Sequence, residues 1–174
     1  FVGFLEMLSF NDLLEAINIT TNGAMISKHI PVLEKMDKIK HINLSIDSLQ
    51  KEKFNKITRR DVFPEVYETF KALEKSSLNL KLNVVVQPGF NTDEIVDFVA
   101  LTKNNNVAVR FIEEMPFNGK GQREMKENWN YTRILEEIKT KFDAKPIVSE
   151  KSSTSKNFRV DGHKGTVGII PAFT

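Results

Sequence analysis

The sequence predicts an α/β protein whose parallel sheet is of the barrel type. Two observations carry that prediction. Four short apolar runs, at residues 17–23, 41–47, 81–87 and 107–116, each close in polar residues, and helix-patterned segments separate them. Such alternation is the pattern of βα units, whose crossovers are almost always right-handed, so successive strands lie side by side and the sheet curls. In barrel-type folds the carboxyl ends of parallel strands converge on one mouth, where polar groups distant in sequence meet around one ligand.

Taken in order, residues 1–14 carry Phe1, Phe4, Leu5 and Leu8 at helical spacing, and a strand follows at 17–21. Residues 27–37, with Ile30, Leu33 and Met36, read as a helix capped by Ser27, followed by a strand at 41–46. Phe63, Val66, Phe70 and Leu73 mark a helix over 63–76, and 81–86 is the third strand. Asn91 is the expected cap of a helix over 92–104, with Thr92-Asp93-Glu94 supplying acidic groups to its first turn. The fourth strand is expected at 107–112.

Beyond residue 113 the character changes. Residues 114–130 read as a long polar loop centred on Gly119-Lys120-Gly121, and a helix over 131–142 follows Trp129. Short strands are expected at 145–149, 157–160 and 166–170, the last two joined as a hairpin by the Asp161-Gly162 turn. Ser152-Ser153-Thr154-Ser155 is the expected mobile surface loop. The organisation predicted is a barrel portion over 1–120 and a smaller β-rich region over 121–174.

Composition narrows the function classes. A formal charge of +2 over 174 residues points to neither a nucleic-acid nor a membrane surface. With no apolar stretch of spanning length and no signal peptide, the expected location is cytoplasmic. The absence of cysteine excludes disulfides, thiolate nucleophiles and cysteine-held metal within these residues. His29, His41 and His163 lack metal-site spacing and read as surface or strand-edge residues. The chain opens without methionine inside an amphipathic pattern and stops just after a strand-like run, which leads us to expect a portion of something longer.

Several polar residues could carry chemistry. Lys81 and Asn83 share a strand face with Val85, and a lysine on an inner face is costly to desolvate unless it meets an anion. Lys81 therefore reads as a phosphate contact, or as a strand-start lysine pointing to solvent. Arg110 reads as a fork donor for carboxylate or phosphate, or as the ion-pair partner of Glu113 or Glu114. Thr20, Thr21 and Asn22 before Gly23, and Ser45 with Asp47, suit ribose or phosphate contacts and equally suit turn chemistry. Lys56, Arg59, Arg60 and Asp61 form a basic run between helices, best read as a solvated face. No phosphate-binding loop, dinucleotide fingerprint or hydrolytic triad is evident.

The ordered set of strand-end motifs resembles the GTP 3′,8-cyclase family, radical S-adenosylmethionine enzymes of molybdenum-cofactor biosynthesis. The motifs are Thr20-Thr21-Asn22-Gly23, Asn43-Leu44-Ser45-Ile46-Asp47-Ser48-Leu49, Ile57-Thr58-Arg59-Arg60-Asp61, Lys81-Leu82-Asn83-Val84-Val85-Val86, Gly89-Phe90-Asn91-Thr92-Asp93-Glu94-Ile95 and Arg110-Phe111-Ile112-Glu113-Glu114-Met115-Pro116. The resemblance is good over residues 17–120 and looser elsewhere. It implies an incomplete TIM-type (β/α)₆ radical SAM barrel with its first strands missing, then a small β-rich extension. It further implies that Ser45 and Met115 contact S-adenosylmethionine, and that Thr20, Lys81 and Arg110 contact GTP, with Lys81 at the triphosphate.

The family's two [4Fe–4S] clusters are held by N-terminal Cys-x-x-x-Cys-x-x-Cys and C-terminal cysteines that these residues do not include, so no metal ligands are assigned. The Gly-Gly-Glu stretch of the second family strand is also missing, and Glu114 stands where the family usually has an apolar or aromatic residue. GTP is the implied substrate partner, with a homodimer allowed. The segment by itself is expected to be inactive. Another radical SAM enzyme with a different substrate, and a cluster-free binding domain on a degenerate barrel, are the alternatives.

Overall fold

Alternating burial along parallel strands sets the architecture. The computed structural model describes residues 1–115, 129–148 and 154–172. Its strands are β1 (Ile17–Thr21), β2 (Ile39–Ser45), β3 (Asn79–Val86), β4 (Val107–Glu113), β5 (Ala144–Pro146), β6 (Lys156–Val160) and β7 (Thr166–Ile170). They form one sheet in the order β1-β2-β3-β4-β7-β6-β5. Neighbours from β1 to β4, and β4 with β7, pair parallel, whereas β6 runs antiparallel to β7 and β5 to β6. This is a partial (β/α) barrel extended by further strands. The predicted sequence of side-by-side parallel strands and the final hairpin both hold.

The helices are α1 (Val2–Ser9), α2 (Ile30–Leu33), α3 (Lys51–Thr58), α4 (Phe63–Lys75), α5 (Ile95–Ala100) and α6 (Tyr131–Lys139). Ile42 and Leu44 of β2, Leu80, Leu82, Val84 and Val86 of β3, and Val107, Val109 and Phe111 of β4 are buried on one face. They share a core with Val66, Phe70 and Leu73 of α4, Ile95, Phe98 and Val99 of α5, and Ile134 and Ile138 of α6. Phe98 meets Phe111 edge-on, with ring centroids 6.3 Å apart. The helices therefore cover the apolar face, and the other face of the strands is left for polar residues. Gly23 shapes the exit from β1: its φ is +83°, and a Cβ there would lie 2.6 Å from Leu44 Cδ1. Its carbonyl accepts the Thr69 hydroxyl of α4 at 2.6 Å.

Several local expectations need correction. Residues 51–58 form α3, which the pattern did not signal because Phe54 is its only buried residue. Lys56 thus lies within a helix rather than between two, and Arg59 ends that helix in the left-handed conformation at φ 56°. Ser27 does not cap: it begins a 3₁₀ turn, and α2 is a single turn. Asn91 precedes the 3₁₀ turn Thr92–Glu94 without a capping bond, because its amide is engaged elsewhere. Ser155, expected in a mobile loop, is 7% exposed and donates to Asn157 Oδ1 at 2.8 Å. The expected loop centre Gly119-Lys120-Gly121, the boundary at residue 120, and Ser152 and Ser153 lie outside the described residues. Among the described residues, no helix is long and apolar enough to cross a membrane.

Candidate functional site

Strand register arranges the polar face into rows. Asn18, His41 and Asn79 are paired across β1, β2 and β3. One step toward the carboxyl ends, Thr20, Asn43, Lys81, Ala108 and Thr166 form a second row across β1-β2-β3-β4-β7. The third row runs Ser45, Asn83, Arg110, Gly168 and Asn157, from β2 to β6. Period-two alternation within each strand puts these residues together, since every second side chain shares a face.

Arg110 is the hub of this face. Its Nε donates to Asn83 Oδ1 at 3.0 Å and its Nη2 to Asn43 Oδ1 at 2.6 Å. Asn43 in turn donates through Nδ2 to Thr20 Oγ1 at 3.3 Å, so one network spans β1 to β4. These acceptors are neutral, and among the described residues no carboxylate lies within ion-pair distance of Arg110. Among the described residues, the guanidinium is oriented by neutral groups alone. Burial lowers the Arg110 pKa from its ordinary value, which registers the cost of holding that charge partly out of water.

Gly168 makes room for this arrangement. A Cβ there would lie 2.4 Å from Ser155 Oγ, 2.8 Å from Asn157 Oδ1 and 3.3 Å from Arg110 Cγ. Asn43, Asn83 and Gly168 were not picked out as site residues from the sequence. The only signal available was their placement on the same strand face as Lys81 and Arg110.

The alternative reading of Arg110, an ion pair with Glu113 or Glu114, does not occur. Glu113 instead accepts from the Tyr131 backbone N–H and, at 2.9 Å, from that of Ala172. It ties the end of β4 to the start of α6 and to the segment after β7. Glu114 is exposed.

The ends of β2 and β3 are tied off separately. Asp47 Oδ1 accepts the Val85 N–H at 2.8 Å. Asn91 Nδ2 donates to the carbonyls of Asp47 and Val85 at 2.7 and 2.8 Å, and its Oδ1 accepts the Gln87 N–H at 2.8 Å. Glu94, 1% exposed, accepts from Ser48 Oγ at 2.8 Å and from the Leu49 N–H at 2.7 Å, with Lys53 Nζ 3.4 Å away. Burial raises the Asp47 pKa, and the Val85 hydrogen bond acts against that rise. Asp47 is thus strand-end stitching, as are Thr21 and Asn22, whose side chains accept the N–H groups of Gly23 and Ala24.

Of the five residues singled out for binding, Thr20, Lys81 and Arg110 gather on the inner face. Ser45 is exposed at the end of β2, in the Arg110 row. Met115 lies just past β4 and is 50% exposed, outside the rows. Lys56 belongs to another surface, with its ammonium 5.2 Å from the centre of the Phe90 ring. The chain has no cysteine, and no cluster of three His, Asp or Glu side chains suited to a metal ion occurs among the described residues.

Comparison with known proteins bears on the family to which the chain belongs. A family model described as the radical SAM superfamily matches residues 2–102. The chain is 38% identical, over 99% of its length, to 29% of the molybdenum cofactor biosynthesis protein moc-5 of Caenorhabditis elegans. It is 38% identical over 97% of its length to the GTP 3′,8-cyclase of Alkaliphilus oremlandii, of which it covers 52%. With the mitochondrial GTP 3′,8-cyclase of Arabidopsis thaliana it shares 36% identity over 92% of its length, covering 41% of that protein. The chain spans about half or less of the length of these relatives.

Proposed function

The chain belongs to the radical SAM superfamily, and from that premise we propose that it forms the substrate-binding wall of a GTP 3′,8-cyclase. That enzyme converts GTP to 3′,8-cyclo-GTP at the start of molybdopterin biosynthesis, a cytoplasmic task in this reading. The observation that carries the proposal is Arg110, held by Asn43 and Asn83 yet facing no carboxylate among the described residues, on the same face as Lys81 and Thr20. A cation oriented by neutral amides is prepared for an external anion, and the pairing of a forked guanidinium with a point-charge ammonium suits a triphosphate.

In this reading Lys81 and Arg110 bind and orient the triphosphate, while the Thr20 hydroxyl and the asparagine amides hold polar groups of the nucleoside. Ser45, exposed at the end of β2, and Met115, half exposed beyond β4, contact S-adenosylmethionine in this reading. When bound, S-adenosylmethionine supplies the hydrogen-abstracting radical characteristic of the superfamily. These residues do not fit an iron–sulfur cluster, since none of them is a cysteine. By themselves they are therefore inactive in this chemistry.

The test is calorimetric titration of GTP into the intact protein, with Arg110→Met and Lys81→Met in parallel. Each substitution removes charge-assisted hydrogen bonds worth about 1.5–3 kcal/mol, so each should weaken GTP by about tenfold or more. Absence of GTP affinity in the parent protein would point to a different substrate within the superfamily.

A further inference from the structure

A second feature of the same face lies toward the amino ends of the strands. A pocket of about 120 Å³ opens there, lined by His41 of β2, Asn79 and Lys81 of β3, Asn106 before β4, and Thr166 of β7. Its volume admits several water-sized groups. His41 Nδ1 is buried and has no hydrogen-bond partner. Buried polar atoms are almost always satisfied, so this orphan singles out His41, whose residue lines the same pocket as Lys81.

Among the described residues, the charges that lower the His41 pKa are Lys81 of β3 and Arg110 of β4, both cations. From β1 the facing residues are neutral: Asn18 pairs with His41 in register, and Thr20 follows on the same face. Burial, then Lys81, then Arg110 lower the His41 pKa below 6.5, so the free protein holds this ring neutral near pH 7. An anion beside Lys81 opposes the effect of that cation on the ring and supplies an acceptor for a ring N–H.

We propose that His41 is part of the anion-binding wall and takes up a proton when a phosphate or polyphosphate group occupies the pocket beside Lys81. This rests on the proposed binding of a nucleoside triphosphate and adds a proton-coupled residue to it. Linkage is reciprocal: if the anion favours the protonated ring, lowering the pH through the His41 range strengthens anion binding.

The experiment follows the His41 ring resonances of the intact protein from pH 5.5 to 8, alone and saturated with GTP or inorganic tripolyphosphate. Calorimetric affinities are measured over the same range for the parent, His41→Asn and His41→Gln. We expect the His41 midpoint to rise by about one unit or more on saturation, equivalent to roughly tenfold stronger binding at low than at high pH. The phosphate's own ionisation near pH 6 acts the other way and cancels on comparison with the substituted proteins. Both substitutions should remove the His41-dependent part of the pH profile. If GTP binds while the His41 midpoint stays put, this inference falls and the proposed function stands. If neither ligand binds at any pH, both fall.

Discussion

The two faces of the same four strands differ in almost every physical respect. On β3, Leu80, Leu82, Val84 and Val86 are buried against helices, while the interleaved Asn79, Lys81, Asn83 and Val85 are at least partly exposed. On β4, Val107, Val109 and Phe111 are buried, whereas Ala108, Arg110 and Ile112 are not. One face holds the fold together through apolar burial. The other organises charge through neutral hydrogen-bonding groups. A parallel strand of this kind therefore encodes core and site in alternate letters, and a one-residue slip of register would exchange them.

The largest effect that sharpens this contrast is expected from Leu82→Ala, at a side chain with 0% exposure. Truncation there should destabilise the protein by about 2–5 kcal/mol in urea denaturation. The adjacent Asn83→Ala on the opposite face should cost about 1 kcal/mol while releasing Arg110 Nε. Equal losses from the two changes would show that the faces are not energetically distinct.

An intermediate effect is expected at the tie between strand ends. Asn91→Ala removes one amide that serves Asp47, Val85 and Gln87. Leaving such buried groups unsatisfied should lower stability by about 1–3 kcal/mol. Hydrogen exchange should then quicken at Gln87, whose N–H loses its acceptor, before it quickens in the centre of β3.

The smallest effect is the pH dependence of stability. His163 Nδ1 lies 2.8 Å from Thr102 Oγ1, whose own hydrogen goes to the Val99 carbonyl, so the ring donates at Nδ1. Burial, then Lys103, lowers the His163 pKa, as burial, Lys81 and Arg110 lower that of His41. The unfolded chain thus binds more protons than the folded one just below pH 6.5, and stability falls as pH drops through that window. Asp47 has the opposite sign: its raised pKa contributes stability at low pH that is lost as pH climbs above 3.8 through the folded value. Substituting both histidines by asparagine should flatten the slope below pH 6.5 in thermal melts; an unchanged slope would assign it to other groups.

Much of this was legible beforehand because the signals are local. Strand positions, the closing hairpin and the shared face of Lys81 with Asn83 follow from period-two spacing. The resemblance carried by the strand-end motifs was borne out by the superfamily match and by homology to the cyclases over most of the chain. Other features were not legible. The helix at Lys51–Thr58 buries only Phe54, too little for an apolar stripe. Asn91 has the chemistry of a cap, and only the proximity of two strand ends draws its amide away. Glu113, three residues beyond Arg110, invites an ion pair, but residues an odd number of positions apart on a strand point to opposite faces.

The sequence by itself determined where the strands fall to within about three residues, which face of the parallel strands is apolar, and which superfamily the chain joins. These depend on periodicity and motif order, which are properties of the linear chain. Only the tertiary structure decided that Asn43 and Asn83 orient Arg110, that Gly168 leaves space beside it, and that His41 lines a pocket with Lys81. Those facts depend on the register between strands from 22 to 58 residues apart at the closest pairings, such as Ile17 with Ile39 and Ala108 with Thr166. Register is settled by the hydrogen-bond ladder and by packing of the helices between the strands, and neither is written in any single segment.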